Sequence, residues 1–227
     1  SYAAFLLSDL RGIDLSDVIL RETNFWKANL SGLDFTVTSK TSYLGTIFYE
    51  SILPNSNFEG VDLSSMYFTK TFKNKADQKQ RFDSGSLTNE ELVVELFGGF
   101  GYNNIKIIST EASGNDLVAD YFIFNRFAFA NLENANFKNA NLLAADFYTA
   151  ILTNADMSGA TLIEANLVDA ILSNANLQDA DLSNAYLARA DLTGTDLTGA
   201  NLTGANLNDA FYDENTIRKC IGHHICI

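Results

Sequence analysis

Large apolar residues recur at every fifth position through most of the second half of the chain. From Phe122 to Leu207 the frame runs through Phe127, Leu132, Phe137, Leu142, Phe147, Leu152, Met157 and Leu162, and onward without a miss. Two residues before each of these centres stands a small residue: Ala from Ala130 to Ala190, then Thr195, Ala200 and Ala205. The residue just before a centre is mostly Asn or Asp, as in Asn131, Asp156, Asn176 and Asp191. Two residues after it come Asn, Gly or Asp, the types that tolerate positive φ in turns. A helix turns every ~3.6 residues and a strand alternates every ~2, so neither keeps a five-residue frame in phase. A coil with several equal sides does, if each side is a short extended step that ends in a turn. One large and one small apolar residue per side then point inward, and the backbone pairs with the next coil about 4.8 Å away. The predicted fold class is an all-β solenoid.

The first part of the chain carries the same frame in two other registers. Phe5, Leu10, Leu15, Leu20, Phe25, Leu30 and Phe35 form one run. After the polar stretch "TVTSKTSY", Phe48, Leu53, Phe58, Leu63 and Phe68 form a second, shifted one. Ile13, Val18, Leu33 and Val61 replace Ala at the small inward place, which predicts wider or distorted coils there. Residues 69–121 break the frame. "TKTFKNKADQKQRF" reads as a solvated basic linker, and "SLTNEELVVELFGGFGY" as a helix. Thr88 and Glu91 have the capping-box spacing, Leu92 with Leu96 and Val93 with Phe97 lie on adjacent turns, and Gly98–Gly99 end the helix. "NNIKIIST" reads as a strand, and "DLVADYFIF" leads back into the coils. The division that follows is coils over 1–68, an α/β insertion over 69–121, coils over 122–211 and a C-terminal cap or tail over 212–227.

The words "ANLENANFKNANLLAADF" and "ADLTGTDLTGANLTGANL" resemble the pentapeptide-repeat family, whose pattern is A(D/N)Lxx. The resemblance implies a right-handed, four-sided β-helix with four pentapeptides per coil. Centres twenty residues apart then stack, as Phe5 with Phe25, Phe48 with Phe68 and Phe127 with Phe147. It also implies a possible role, since some members mimic DNA and bind type II topoisomerases such as gyrase, protecting or inhibiting them. Those members tend to dimerise through a C-terminal helix that this tail does not show, and the large insertion is unlike their short projecting loops.

Charge narrows the choice of partner. The net charge is −13, which argues against direct nucleic-acid binding and against an anionic membrane surface, and is compatible with a basic partner. Residues 122–211 carry ten acidic against three basic residues, which suits an acidic mimic. No apolar run reaches the ~18 residues of a membrane span, so the expectation is a soluble protein, with the cytoplasm favoured over export. Both cysteines and both histidines fall in the tail "RKCIGHHICI". Three readings stand there: a plain terminal cap, a Cys220–Cys226 disulfide, or a zinc site of Cys220, His223, His224 and Cys226, whose four ligands would be cramped. The recurring Asn and Asp residues read as turn-forming hydrogen-bond acceptors rather than carboxylate pairs or calcium ligands.

No catalytic set is legible, and no cofactor is expected. The helix, the strand and "GNDLVADYF" faintly resemble the core of restriction-endonuclease-like folds, which need an acidic residue followed by Glu/Gln-x-Lys to hold Mg²⁺. After Asp116 and Asp120 the chain reads "YFIFNRF" and lacks that triplet. The outward positions are more informative. Leu143 and Ile163, Tyr148 and Val168, and Ile151 and Ile171 are apolar pairs at twenty-residue spacing. They predict a surface patch around Phe147 and Leu167 that binds something. The expected function is a non-enzymatic scaffold for a protein partner, with the acidic topoisomerase-binding mimic as the alternative.

Overall fold

The structure, a computed structural model, describes residues 3–16, 18, 20, 23–36, 43, 46–64, 66–86, 88, 91–92, 105–113, 115–123, 126–214, 216 and 220–226. Two compact units form: Ser1–Ser64 with Asn125–Ile227, and Ser65–Phe124.

The first unit is the solenoid. Its strands are one or two residues long, as in β1 (Ala3–Ala4) and β2 (Thr23–Asn24), which pair in parallel. Elsewhere the residue before nearly every described centre forms a single parallel bridge to the next coil. Asp146, Asn166, Tyr186 and Asn206 bridge in one column, and Ile151, Ile171, Asp191 and Phe211 in the next. Asp156, Asn176 and Asp196 make the third, and Thr161, Asp181, Asn201 and Ile221 the fourth. Four columns five residues apart, each repeating after twenty, define four sides, numbered here in that order. Each centre donates its N–H upward, as Leu132 does to Ile151 O at 2.7 Å, and Ile151 N returns to Ala130 O at 2.9 Å. Almost every inward backbone group is therefore paired.

Turns close the sides where the sequence places them. Asn134, Asn139, Asn154, Asn174, Asp179 and Asn184 take positive φ, and so do Ala144, Thr149, Glu164 and Arg189, where the stacked ladder overrides the local preference. Gly159, Gly194, Gly199 and Gly204 have a second reason to be glycine. A Cβ at each would collide with the side-chain oxygen of Asn139, Asn174, Asp179 or Asn184 in the coil before. The Asx side chains at the bridge places accept the N–H two residues on, as Asn131 Oδ1 does from Glu133 N at 3.1 Å and Asp156 Oδ1 from Ser158 N at 3.0 Å. These residues are turn makers, as their spacing implies.

The core is two columns of rings that pass into Leu. Phe5 stacks on Phe25 at 5.6 Å, Phe25 on Phe48 at 5.5 Å, Phe48 on Phe127 at 4.8 Å and Phe127 on Phe147 at 4.9 Å. A second column runs Phe35, Phe58 and Phe137, and it meets the first edge-on. Two of the expected stacks are present. Where a Phe48–Phe68 pairing was expected in the ladder, Phe48 N donates to Arg126 O at 2.8 Å, and Phe68 is the antiparallel partner of Tyr121 in a sheet that starts at Met66. Phe122 likewise belongs to that sheet, opposite Tyr67. Column spacing also changes twice. Asn24 bridges Ile47, twenty-three residues on, and Ile47 bridges Arg126, seventy-nine on. The first jump absorbs the "TVTSKTSY" stretch, whose Tyr43 is buried, packs edge-on against Phe35 at 6.1 Å and donates its hydroxyl to Phe35 O. The second jump accommodates the other unit.

The small inward place is filled by two chemistries. Ala130 to Ala190 are all buried. Thr46, Ser51, Ser56, Thr195 and Thr216 are buried too, and each hydroxyl donates to a centre's carbonyl in the preceding coil: Leu20, Phe25, Leu30, Leu172 and Leu192. Leu33 and Val61 are buried without breaking the bridge columns, so the expected distortion does not extend to the ladder. Ile13 and Val18, 40% and 39% exposed, sit in the first of the described coils.

The second unit is an antiparallel sheet in the order β3 (Met66–Phe72), β5 (Asp116–Ile123), β4 (Ile105–Ser113), with helix α1 (Ala76–Asp83). The basic stretch expected as a linker is thus the end of an edge strand, a turn and a short helix. Lys73 Nζ meets Asp116 Oδ2 at 2.6 Å, and Asn74 N donates to Asp116 Oδ1 at 3.0 Å, so this carboxylate ties the β3–α1 turn to the start of β5. The Lys73 hydrogen bond, followed by that from Asn74, holds the Asp116 carboxyl below the usual carboxylate range. The capping box forms: Thr88 N donates to Glu91 Oε2 at 2.8 Å and Glu91 N to Thr88 Oγ1 at 3.2 Å. Leu92 is buried; Val93, Leu96, Phe97 and Gly98–Gly99 lie outside the described residues.

Candidate functional site

The solenoid's outward positions are set by the frame, so a surface site is a set of columns. Leu143 and Ile163 stack at the turn from the fourth side to the first, where Ala144 N donates to Ile163 O at 2.8 Å. Tyr148 and Val168 stack at the turn from the first side to the second, with Thr149 N donating to Val168 O at 3.0 Å. Ile151 and Ile171 bridge directly on the second side. The last two pairs adjoin. Along the coil, a polar rung separates them from Leu143 and Ile163, because Asp146 and Asn166 stand between, Asn166 Nδ2 donating to Asp146 Oδ1 at 2.9 Å.

The adjoining columns continue toward the N-terminus. Tyr49 and Phe129 pack edge-on at 5.3 Å, and Phe129 and Tyr148 at 5.5 Å. Trp26 occupies the same turn one coil before Tyr49, since Lys27 N donates to Tyr49 O at 3.2 Å. Ile52 lies on the second side, in the column that continues through Asn131 to Ile151. Trp26, Ile52, Phe129, Ile151 and Ile171 are each between 36% and 44% exposed, and Tyr49, Tyr148 and Val168 are half-buried among them. A search at twenty-residue spacing misses Trp26, Tyr49 and Ile52 because the two jumps in the chain intervene, and misses Phe129 because it is nineteen residues from Tyr148.

Most charge on this stripe is paired within the chain, and Asp191, on the rung beyond Ile171, accepts from Ser173 Oγ at 2.6 Å. Lys27 Nζ lies 3.0 Å from Glu50 and 4.9 Å from the Trp26 ring centre. Arg189 grips Asp169 with two hydrogen bonds of 2.7 and 2.6 Å, which hold the Asp169 carboxyl below its ordinary range. On the neighbouring first side, Arg126 lies over the Tyr49 ring at 4.6 Å, with its Nε 3.3 Å from Asp146 but not aligned for a hydrogen bond.

The C-terminal residues finish the ladder. Ile221 bridges Asn201, and Leu202 N donates to Ile221 O at 2.7 Å. Cys220 and Cys226 form a disulfide that closes the final loop, with Cys220 and Ile225 buried against the core. With both sulfurs bonded to each other, neither is a thiolate ligand, so the zinc reading of Cys220, His223, His224 and Cys226 gives way to the disulfide. The His223 and His224 rings stand 4.2 Å apart, and burial, then His224, lowers the His223 pKa. Among the described residues no group of His, Cys, Asp or Glu is arranged to hold a metal, and no helix is long and apolar enough to cross a membrane.

Four-sided coils of five-residue sides, closed by Asx turns, define a β-solenoid repeat protein. The family profile described as pentapeptide repeats matches residues 8–36, 130–169, 144–179 and 170–209, in eight copies. The chain belongs to the pentapeptide-repeat family, and its fold is that family's right-handed β-helix. It is similar to a pentapeptide repeat protein from Nostoc PCC 7120, with 40% identity over 41% of this chain and 73% of that one, at a TM-score of 0.27. It is also similar to one from the Arabidopsis thaliana thylakoid lumen, with 38% identity over 37% of this chain and a TM-score of 0.37; this match spans 59% of the Arabidopsis chain. A structure of QnrB1, described as a plasmid-mediated fluoroquinolone resistance protein, matches at 14% identity over 92% of this chain and 72% of that one, with a TM-score of 0.35. No curated protein sequence matches significantly.

Proposed function

We propose that the protein is a non-enzymatic scaffold that binds another protein through the turn between the first and second sides and through the second side itself. The observation that carries this reading is the run of exposed Trp26, Ile52, Phe129, Ile151 and Ile171 on a surface whose other outward residues are mostly Ser, Thr, Asn, Gly and Asp. A contiguous apolar surface of this kind is where proteins meet. Leu143 and Ile163 lie beyond the polar rung and contribute at its margin. Asp116 holds Lys73 and Asn74, which supports a structural role for it rather than metal-dependent cleavage. The test is quantitative capture of partners by the parent and by an Ile151→Ser, Ile171→Ser variant, which adds no carboxylate beside Asp191. Selective loss of a partner from the variant supports the reading; identical capture profiles defeat it.

The acidic mimic is the second reading, favoured by the ten-to-three acidic excess over 122–211. The ladder counts against it. In the bridged columns no Asp stands directly on another Asp among the described residues: Asp34 meets Asn57, Asp156 meets Asn176, and Asp181 meets Asn201. The carboxylates are therefore interrupted along each side instead of forming a continuous line. Binding to purified gyrase subunits that weakens steeply with salt would establish the mimic; no binding at low salt would remove it.

A further inference from the structure

The whole chain carries a net charge of −13, yet the stripe on the turn between the first and second sides is close to neutral. Lys27 with Glu50 and Arg189 with Asp169 are pairs closed within the chain, and Asp191, on the rung beyond Ile171, carries the remaining charge. The side chains between them are Trp26, Tyr49, Ile52, Phe129, Tyr148, Val168 and the bridged Ile151 and Ile171. Two copies of so acidic a chain repel one another over most approaches, and this face is where they meet with few opposing carboxylates. Spacing selects the same occupant. The columns repeat at the coil rise, about 4.8 Å. A helix presents successive turns at about 5.4 Å and slips out of step within a few of them. Another stacked-coil surface stays in step, and a second copy supplies one with identical rise.

From this near-neutrality and matched rise we infer that the stripe is a homotypic interface, through which two copies of the chain pack side by side about a two-fold axis. In such an isologous contact the Ile151–Ile171 column of one copy faces the same column of the other, with the Phe129 and Tyr148 rings flanking it. The inference rests on the stripe being a protein-binding surface and specifies its occupant.

Sedimentation equilibrium on the full chain, across concentrations into the millimolar range and at low and high salt, tests it. The parent is expected to dimerise reversibly, and more strongly at high salt, because salt screens the repulsion between the two acidic chains while leaving the apolar contact intact. Ile171→Asp should weaken association by at least about tenfold. Ile171→Ser, which introduces no charge beside Asp191, should weaken it less and should keep the parent's circular dichroism and melting temperature. A parent that stays monomeric at every salt and concentration overturns the homotypic inference. So does a dimer that Ile171→Asp leaves unchanged, or one that salt dissociates. A monomeric parent that loses a captured partner on Ile151→Ser, Ile171→Ser overturns this inference alone and leaves the scaffold reading standing.

Discussion

The coils before residue 64 and those after residue 126 keep one frame and fill it differently. The later coils place Ala at nearly every small inward site, and their bridges repeat every twenty residues. The earlier coils use Thr23, Ala28, Leu33, Thr46, Ser51, Ser56 and Val61 at that place, all buried. The frame does not require Ala as such. It requires a side chain that fits the local volume and whose hydroxyl, if it has one, reaches a carbonyl of the coil before. Thr195 shows the rule crossing into the later coils, donating to Leu172 O at 2.8 Å as Ser51 donates to Phe25 O at 2.7 Å.

Opposite volume changes should therefore hurt in the two regions. Leu33 fills its site, and Leu33→Ala should cost about 2–5 kcal/mol through the cavity it leaves. Ala160, 1% exposed, has no room to grow, and Ala160→Leu should cost about 1–3 kcal/mol. Denaturant unfolding measures both. If Leu33→Ala melts with the parent, the earlier coils are slack and the comparison fails. Next in size, Ser51→Ala removes a buried hydroxyl bond and should cost about 1 kcal/mol. In the later coils Ala155→Ser should be nearly neutral, within about 0.5 kcal/mol, because its hydroxyl can reach Leu132 O by the same geometry. A large loss for Ala155→Ser would show that the hydroxyl rule is local to the earlier coils.

The Asn–Asp alternation gives a smaller, pH-dependent effect. Asn176 Nδ2 donates to Asp156 Oδ1 at 3.1 Å, and Asp196 stands on its other side. Asn176→Asp would stack three carboxylates and should cost up to about 1 kcal/mol at neutral pH. Repulsion raises the carboxyl pKa values of the folded variant above their unfolded values. The penalty is therefore full above the folded values and fades as pH falls through the carboxylate range. Comparing melting curves of variant and parent at pH 7 and pH 4 checks the sign; a gap that widens in acid contradicts it.

Most of the solenoid was legible because one residue type per place recurs often enough to expose the period. The centres, the Ala column, the Asx turns and the helix start at Thr88 all follow from local rules. What escaped reading had a non-local cause. Phe68 has the spacing of a centre, but its antiparallel partner Tyr121 lies fifty-three residues on, which no short-range pattern reveals. Helix α1 is eight residues of mostly polar sequence, and Gln78 is its one buried residue, so it carries no apolar stripe to detect. Tyr43 sits in a polar stretch, yet plugs the core where the chain takes three extra residues. The candidate site was half legible for the same reason. Tyr148, Val168, Ile151 and Ile171 share the regular spacing, whereas Trp26, Tyr49, Ile52 and Phe129 join them only once the coils are in register.

The account's central claim is that the stripe serves recognition and the inward columns serve folding. The most direct measurement is the unfolding free energy of the Ile151→Ser, Ile171→Ser variant, which puts no carboxylate on the neighbouring Asp191, at a protein concentration where the parent is fully dissociated. Outward side chains that carry no folding role predict a value within about 0.5 kcal/mol of the parent. A loss comparable to that of Ala160→Leu would show that these isoleucines stabilise the fold itself, and would contradict the assignment of the stripe to a partner.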